Sequence, residues 1–277
     1  MRIDAHQHFW HYNPAEHAWM TDAMQGLKRD YLPADLQPLL ERTGVHGTIA
    51  VQARQSAAET DWLLALADKH DFIKGVVGWV DLQAPDLPTQ LERYRQQPKL
   101  VGVRHVVQDE PDERFMLRPA FLRGLSLLEE FNLAYDLLLF PQHLPIAVEV
   151  ARQLPQQRFV LDHLAKPLIK SQTMMPWEHD IRALASFPNV YCKVSGMVTE
   201  AAWQHWQLDD FARYLAVVFD CFGPDRVMFG SDWPVCTLAA SYAEVALIVL
   251  DNVRELPPET QDQVLGGNAA RFYGVPT

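Results

Sequence analysis

A (β/α)₈ barrel is the fold class that this 277-residue chain predicts, and three observations predict it. Short β-rich runs alternate with amphipathic stretches from end to end, the sequence sign of parallel βαβ units. Polar side chains recur at the C-terminal ends of otherwise apolar runs, where barrel active sites are built. The length also fits, since such a barrel takes about 250 residues.

Eight strand-like runs follow one another at 2–8, 47–53, 73–82, 100–107, 133–140, 158–163, 190–195 and 226–231. Several are nearly continuous apolar stretches, as expected of strands covered by helices outside and by a packed interior within. Helical periodicity fills the gaps. In 57–70, Trp62, Leu63, Leu66 and Ala67 recur at spacings of one, three and four, with Glu59 and Asp61 in the first turn. The stretches 119–131, 143–154, 208–222 and 242–255 read the same way, and a final helix over 259–273 closes the ring. No linker, repeat or composition break marks a second domain, so residues 1–277 are expected to form one barrel domain. Residues 9–32 are the longest irregular stretch, rich in aromatics such as Trp10, Tyr12, Trp19 and Tyr31. Loops that long are usually functional, which makes this one a candidate lid or pocket wall; packing of its aromatics on the barrel rim is the alternative. Gly266-Gly267 reads as a turn between helical segments.

Hydrophobic residues at 48% and charged residues at 21% exclude disordered and collagen-like classes and leave enough apolar material for a full core. A formal charge of -11 argues against sequence-independent nucleic-acid binding, which needs phosphate-neutralising Lys and Arg. A small molecule is the expected partner. Cys192, Cys221 and Cys236 are odd in number and lack CxxC spacing, so neither a disulfide framework nor a thiolate zinc site is indicated. Polar residues among the first six occupy the place of a signal peptide's apolar core, and no apolar run approaches the ~20 residues of a membrane span. A cytoplasmic protein without a membrane partner is expected, and homo-oligomer formation is left open.

His6 and His8 are two apart on a strand and so share a face, as two ligands of one ion or two contacts to one substrate must. Chance alone gives about 0.4 such pairs in a chain of this composition, so the weight comes from context. The sixth run ends in His163 and the eighth in Asp232. Three strand ends that carry His-x-His, His and Asp in one barrel point to a site, because burying such groups without partners is expensive. Asp4, one step deeper, either orients an imidazole or ties down the barrel floor.

Further strand ends supply Gln52, Trp79, Asp81, Arg104, His105, Asp136 and Lys193. Arg104 and His105 are neighbours and face opposite ways; Arg104 is expected inward, where its fork would hold substrate oxygens. Lys193 reads either as an electrophile beside a carbonyl oxygen or as half of a buried ion pair with Asp136 or Asp81. There is no G-x-S-x-G elbow, no G-x-x-x-x-G-K-[ST] loop and no G-x-G-x-x-G after the first strand.

Asp4-Ala5-His6-Gln7-His8, Asp162-His163 ahead of Lys166-Pro167, and Gly230-Ser231-Asp232-Trp233-Pro234 together resemble the amidohydrolase superfamily. More narrowly they resemble its sugar-lactonase branch, the L-fuconolactonase and L-rhamnonolactonase-like proteins related to 2-pyrone-4,6-dicarboxylate lactonase. The likeness runs over nearly the whole chain, through Gly102-Val103-Arg104-His105, Tyr135-Asp136, Lys193-Val194-Ser195-Gly196 and Gly267-Asn268-Ala269. It implies the same barrel, with His6, His8, His163 and Asp232 at the superfamily's metal positions. No second-metal set is visible, so it implies at most one divalent ion, Zn²⁺ or Mn²⁺, and a dispensable one.

The expected activity is hydrolysis of a sugar-derived lactone such as L-fuconolactone or L-rhamnonolactone to the free acid. Asp232 acts as general base on water and returns the proton to the leaving alcohol, with His163 and Lys193 assisting at the carbonyl. Gln52, Arg104, His105, Trp79, Asp81, Trp10 and Trp233 are the expected substrate contacts. The alternatives on this scaffold are a metal-dependent amidohydrolase or decarboxylase, a pyrone-dicarboxylate lactonase, and a sugar-binding barrel without turnover.

Overall fold

The structure, a computed structural model, describes residues 1–276. Its strands are β1 (Ile3–Gln7), β2 (Gly47–Val51), β3 (Ile73–Gly78), β4 (Leu100–His105), β5 (Ala134–Leu137), β6 (Phe159–Leu161), β7 (Val190–Val194) and β8 (Val227–Phe229). They form one sheet in sequential order, every neighbouring pair parallel. The helices begin with α1 (Pro33–Thr43), α2 (Ala57–Lys69), α3 (Leu87–Tyr94), α4 (Pro119–Leu128) and α5 (Leu144–Gln153). They continue as α6 (Trp177–Ala185), α7 (Met197–Glu200), α8 (Asp209–Phe222), α9 (Tyr242–Val253), α10 (Pro258–Asp262) and α11 (Asn268–Tyr273).

Each layer follows from its sequence pattern. In α8, Phe211, Tyr214, Leu215, Val218 and Phe222 recur at three and four and form the buried stripe that packs outside the sheet. Ser241 caps α9: its hydroxyl accepts from Glu244 N at 3.3 Å while Glu244 Oε2 accepts from Ser241 N at 2.7 Å. Inside the barrel Ile3, Ile49, Val51, Val77, Val160 and Met228 fill the lower half, and Ala269, Phe272 and Tyr273 of α11 pack against them. The final helix therefore plugs the floor. Gly266-Gly267 lies where expected, between α10 and α11, in a single irregular turn over Gln263–Gly267.

The ring closes between β1 and the segment after β8. Asp232 N donates to His6 O at 2.8 Å, and His8 N donates to Trp233 O at 2.7 Å. The seam thus joins the two strand ends that carry the predicted site. Residues 9–32 stand as a wall beside it. Trp10 and Tyr31 exchange backbone hydrogen bonds of 3.0 Å at the base of the loop, and Arg54 Nη1 ties it to the barrel through Glu16 Oε2 at 2.5 Å. Among the described residues no helix is long and apolar enough to cross a membrane.

Candidate active site

A cavity of about 360 Å³ opens over the C-terminal ends of the strands, with His8, Arg104, His163 and Asp232 exposed to it. Trp10, Trp19 and Met24 of the long loop form one wall; Lys166, Thr199, Glu200 and Trp203, from the segments after β6 and β7, form another. Four polar atoms converge at its floor. His6 Nε2 and His8 Nε2 are 3.2 Å apart, and Asp232 Oδ1 lies 3.3 Å from His8 Nε2, 3.8 Å from His6 Nε2 and 3.9 Å from His163 Nε2.

The tautomers follow from the outer contacts. His8 Nδ1 donates to Val51 O at 2.8 Å, which leaves Nε2 as a bare lone pair. Burial pushes His163 down to about 4 and His6 well below the ordinary imidazole range, so both rings are neutral at pH 7. Burial also opposes the charge on Asp232, but His163, His8 and His6 outweigh it and hold that carboxyl well below the usual carboxylate range. Imidazole nitrogens converging with an ionised carboxylate make a candidate cation site. Ligands of a tetrahedral ion with ~2.1 Å bonds sit about 3.4 Å apart, close to the separations of His6, His8 and Asp232. A second group, His6 with Asp162 and His163, has donor atoms near enough to hold an ion. It already contains a cation: Lys193 Nζ lies 3.0 Å from Asp162 Oδ1 and 3.2 Å from His6 Nδ1. The residues therefore fit one divalent ion.

Beneath this floor lies a sealed charge network. Lys193 donates to Asp136 Oδ2 at 2.5 Å, and Asp136 also accepts from Tyr273 OH at 2.9 Å. Arg104 Nη1 donates to Asp162 Oδ2 at 3.0 Å, and Nη2 donates to Gln52 Oε1 at 2.9 Å. Asp4 accepts from Ser231 N at 2.8 Å, Ser231 Oγ at 2.6 Å, His6 N at 3.1 Å and Tyr242 OH at 3.1 Å. It ties the floor across the seam rather than orienting an imidazole ring.

The structure brings His6, His8, His163, Asp232, Arg104 and Trp10 together around the cavity and its floor. It places Gln52 behind Arg104, and Lys193 fully buried under His6, in the ion pair with Asp136. His105 faces the helices, where it stacks on Phe115 at 4.9 Å and its Nε2 meets Glu110 Oε1 at 2.7 Å. Trp79 Nε1 donates to His105 Nδ1 at 3.4 Å, and Asp81 is exposed and caps Gln83 N at 2.9 Å. Trp233 is buried against Phe9 and Tyr31. None of these last four lines the cavity. Lys166, Gln108, Glu200 and Trp203 do line it and were not among the expected substrate contacts; they sit on connecting segments, where strand periodicity carries no signal.

Gly196 shows how closely the floor is fitted. It adopts φ +62°, and a Cβ there would lie 2.5 Å from His163 Nδ1. Gly196→Ala is expected to cost about 1–3 kcal/mol of stability and, by displacing the His163 ring, at least about tenfold in turnover. Denaturant unfolding alongside kinetics checks both.

The amidohydrolase family model matches residues 3–275. The chain belongs to the amidohydrolase family. An L-fucono-1,5-lactonase of Burkholderia multivorans (strain ATCC 17616 / 249) is 42% identical over 287 residues, covering 100% of this chain and 97% of that one. An L-fucono-1,5-lactonase of Burkholderia ambifaria is 38% identical over 278 residues, covering 99% and 96%. A crystal structure of a Burkholderia multivorans amidohydrolase with bound Zn superposes on this amidohydrolase with a TM-score of 0.96 at 42% identity, covering 100% of each chain.

Proposed function

We propose that this chain hydrolyses a sugar-derived aldonolactone to the free acid, with L-fucono-1,5-lactone as the first candidate. The observation that carries the reading is the convergence of Asp232 with His6, His8 and His163 at the floor of a tryptophan-walled cavity. Relatives 38% and 42% identical and named L-fucono-1,5-lactonase supply the substrate class. Asp232 takes a proton from the attacking water, and His163, whose Nδ1 contacts Ser195 Oγ at 2.8 Å, faces the carbonyl oxygen. Arg104 and Lys193 flank His6, their nitrogens lying 3.3 Å from its Nε2 and 3.2 Å from its Nδ1, and bring positive charge to the ring. Trp10, Trp19, Trp203 and Gln108 meet the sugar's faces and hydroxyls.

A neutral polyol suits the cavity better than a dicarboxylate. The Arg104 fork is committed to Asp162 and Gln52, and Arg54 to Glu16 and Glu59, which among the described residues leaves Lys166 as the uncommitted cation of the cavity lining. The three cysteines are free, in keeping with a reducing cytoplasm.

A divalent ion held by His6, His8 and Asp232 would polarise the carbonyl and lower the pKa of a bound water. We propose that Zn²⁺ or Mn²⁺ binds there and is dispensable, because Arg104 and Lys193 already supply positive charge to His6. The test is a panel of aldonolactones assayed before and after chelation, with metal content measured. Chelation is expected to remove about one ion per chain and to leave at least half the activity. Complete loss restored by Zn²⁺ or Mn²⁺ would make the ion essential, and failure to open any lactone in either state would remove the hydrolase reading.

A further inference from the structure

We propose that Lys166 is the acid that protonates the departing ring oxygen when the lactone opens, acting across the cavity from Asp232; this assignment rests on the lactonase reading above. It starts from backbone. His163, Leu164, Ala165 and Lys166 have φ values of +55°, +54°, +57° and +50°, four consecutive left-handed residues with no glycine among them. Each costs about 1–2 kcal/mol relative to a right-handed residue. Such strain persists where its surroundings hold it and function uses it.

The surroundings are plain. Leu164 and Ala165 are fully buried, and Trp177 Nε1 donates to Leu164 O at 2.7 Å. Lys166 N donates to His163 O at 2.7 Å and closes the turn. With three residues per turn, positions 163 and 166 fall on one face, and both line the cavity. The turn therefore sets an ammonium beside His163.

That ammonium is uncommitted. Among the described residues Lys166 makes neither an ion pair nor a side-chain hydrogen bond, and its Nζ lies 5.4 Å from the centre of the Phe140 ring. Its neighbour across the cavity wall is Glu200, half-buried at the end of α7 and equally without a partner among the described residues. The charge of Lys166 reaches both groups, opposing protonation of His163 and steadying the Glu200 carboxylate against burial. The cavity's other cation, Arg104, cannot release a proton, and Lys193 is sealed beneath the floor.

The step balances without another reactant. Water adds its oxygen to the carbonyl carbon and gives a proton to Asp232. Collapse of the tetrahedral intermediate breaks the bond from that carbon to the ring oxygen. The electron pair stays on the ring oxygen, which takes a proton from Lys166 Nζ. The proton on Asp232 then passes through water to the neutral amine and restores both groups.

A thiolate departs without a proton, so comparing L-fucono-1,5-lactone with its ring-sulfur analogue isolates this role. Lys166→Met is expected to lower kcat on the oxygen lactone by about 10²–10³-fold and on the thiolactone by less than about tenfold. Asp232→Asn should fall on both. Equal losses for Lys166→Met on the two substrates, with the fold intact by circular dichroism, overturn the assignment. In Lys166→Ala, methylammonium should restore oxygen-lactone turnover at least tenfold while tetramethylammonium, which carries no acidic proton, restores none. The same response to both cations also overturns it. A parent protein that opens no lactone would sink the function reading itself; matched losses in an active parent sink this assignment alone.

Discussion

Asp232→Asn is expected to lower kcat/KM on an aldonolactone by about 10²–10⁴-fold, the range a positioned general base contributes. The amide keeps the shape of the carboxylate and can still meet His8 Nε2, which lies 3.3 Å from Oδ1 in the parent. It cannot accept a proton from water. The melting temperature is the control for the fold, since the isosteric amide keeps the packing around position 232. Steady-state kinetics beside a thermal melt separate loss of chemistry from loss of fold. Full activity in a folded variant would move the base elsewhere.

Lys193→Met should instead strike the fold. The substitution leaves Asp136 and Asp162, both fully buried, without the ammonium 2.5 and 3.0 Å away. Removing one partner of a buried pair costs about 3–5 kcal/mol, because the remaining charge has no water to turn to. At about 2–4 °C per kcal/mol for a chain of this size, the melting temperature should fall by roughly 6–20 °C. Adding Asp136→Asn removes one stranded charge and should recover a good part of the loss. No recovery would mean that Lys193 matters through packing rather than charge.

The barrel and the floor of its site were legible because both rest on period two. Strand alternation placed His6 with His8 and turned Arg104 inward and His105 outward, as the structure has them. Contiguous apolar runs did the same for the eight strands. Alternation fails where a strand stops. β6 ends at Leu161, so Asp162 and His163, though adjacent, both reach the His6 cluster. The left-handed turn that follows has no glycine or asparagine to announce it. Asp81 and Trp79 lie beyond the end of β3 at Gly78, and their placement follows the loop rather than the sheet. Lys193 carries two meanings in the sequence, and the partner that decides between them lies on β5, a distance that no local pattern spans.

The seam between the first and last strands has a consequence for how the protein comes into being. His6 and Ser231 meet across a sequence separation of 225 residues, and Asp232 completes the floor only when that junction forms. During synthesis the opening histidines leave the ribosome long before their carboxylate partner exists. Contacts of such long range form late, after shorter loops have closed. Catalytic competence therefore requires ring closure, and chains that lack the last strand lack the floor of the site. Turnover in a refolding time course should lag behind the recovery of helix signal, which makes the enzyme its own reporter of barrel completion.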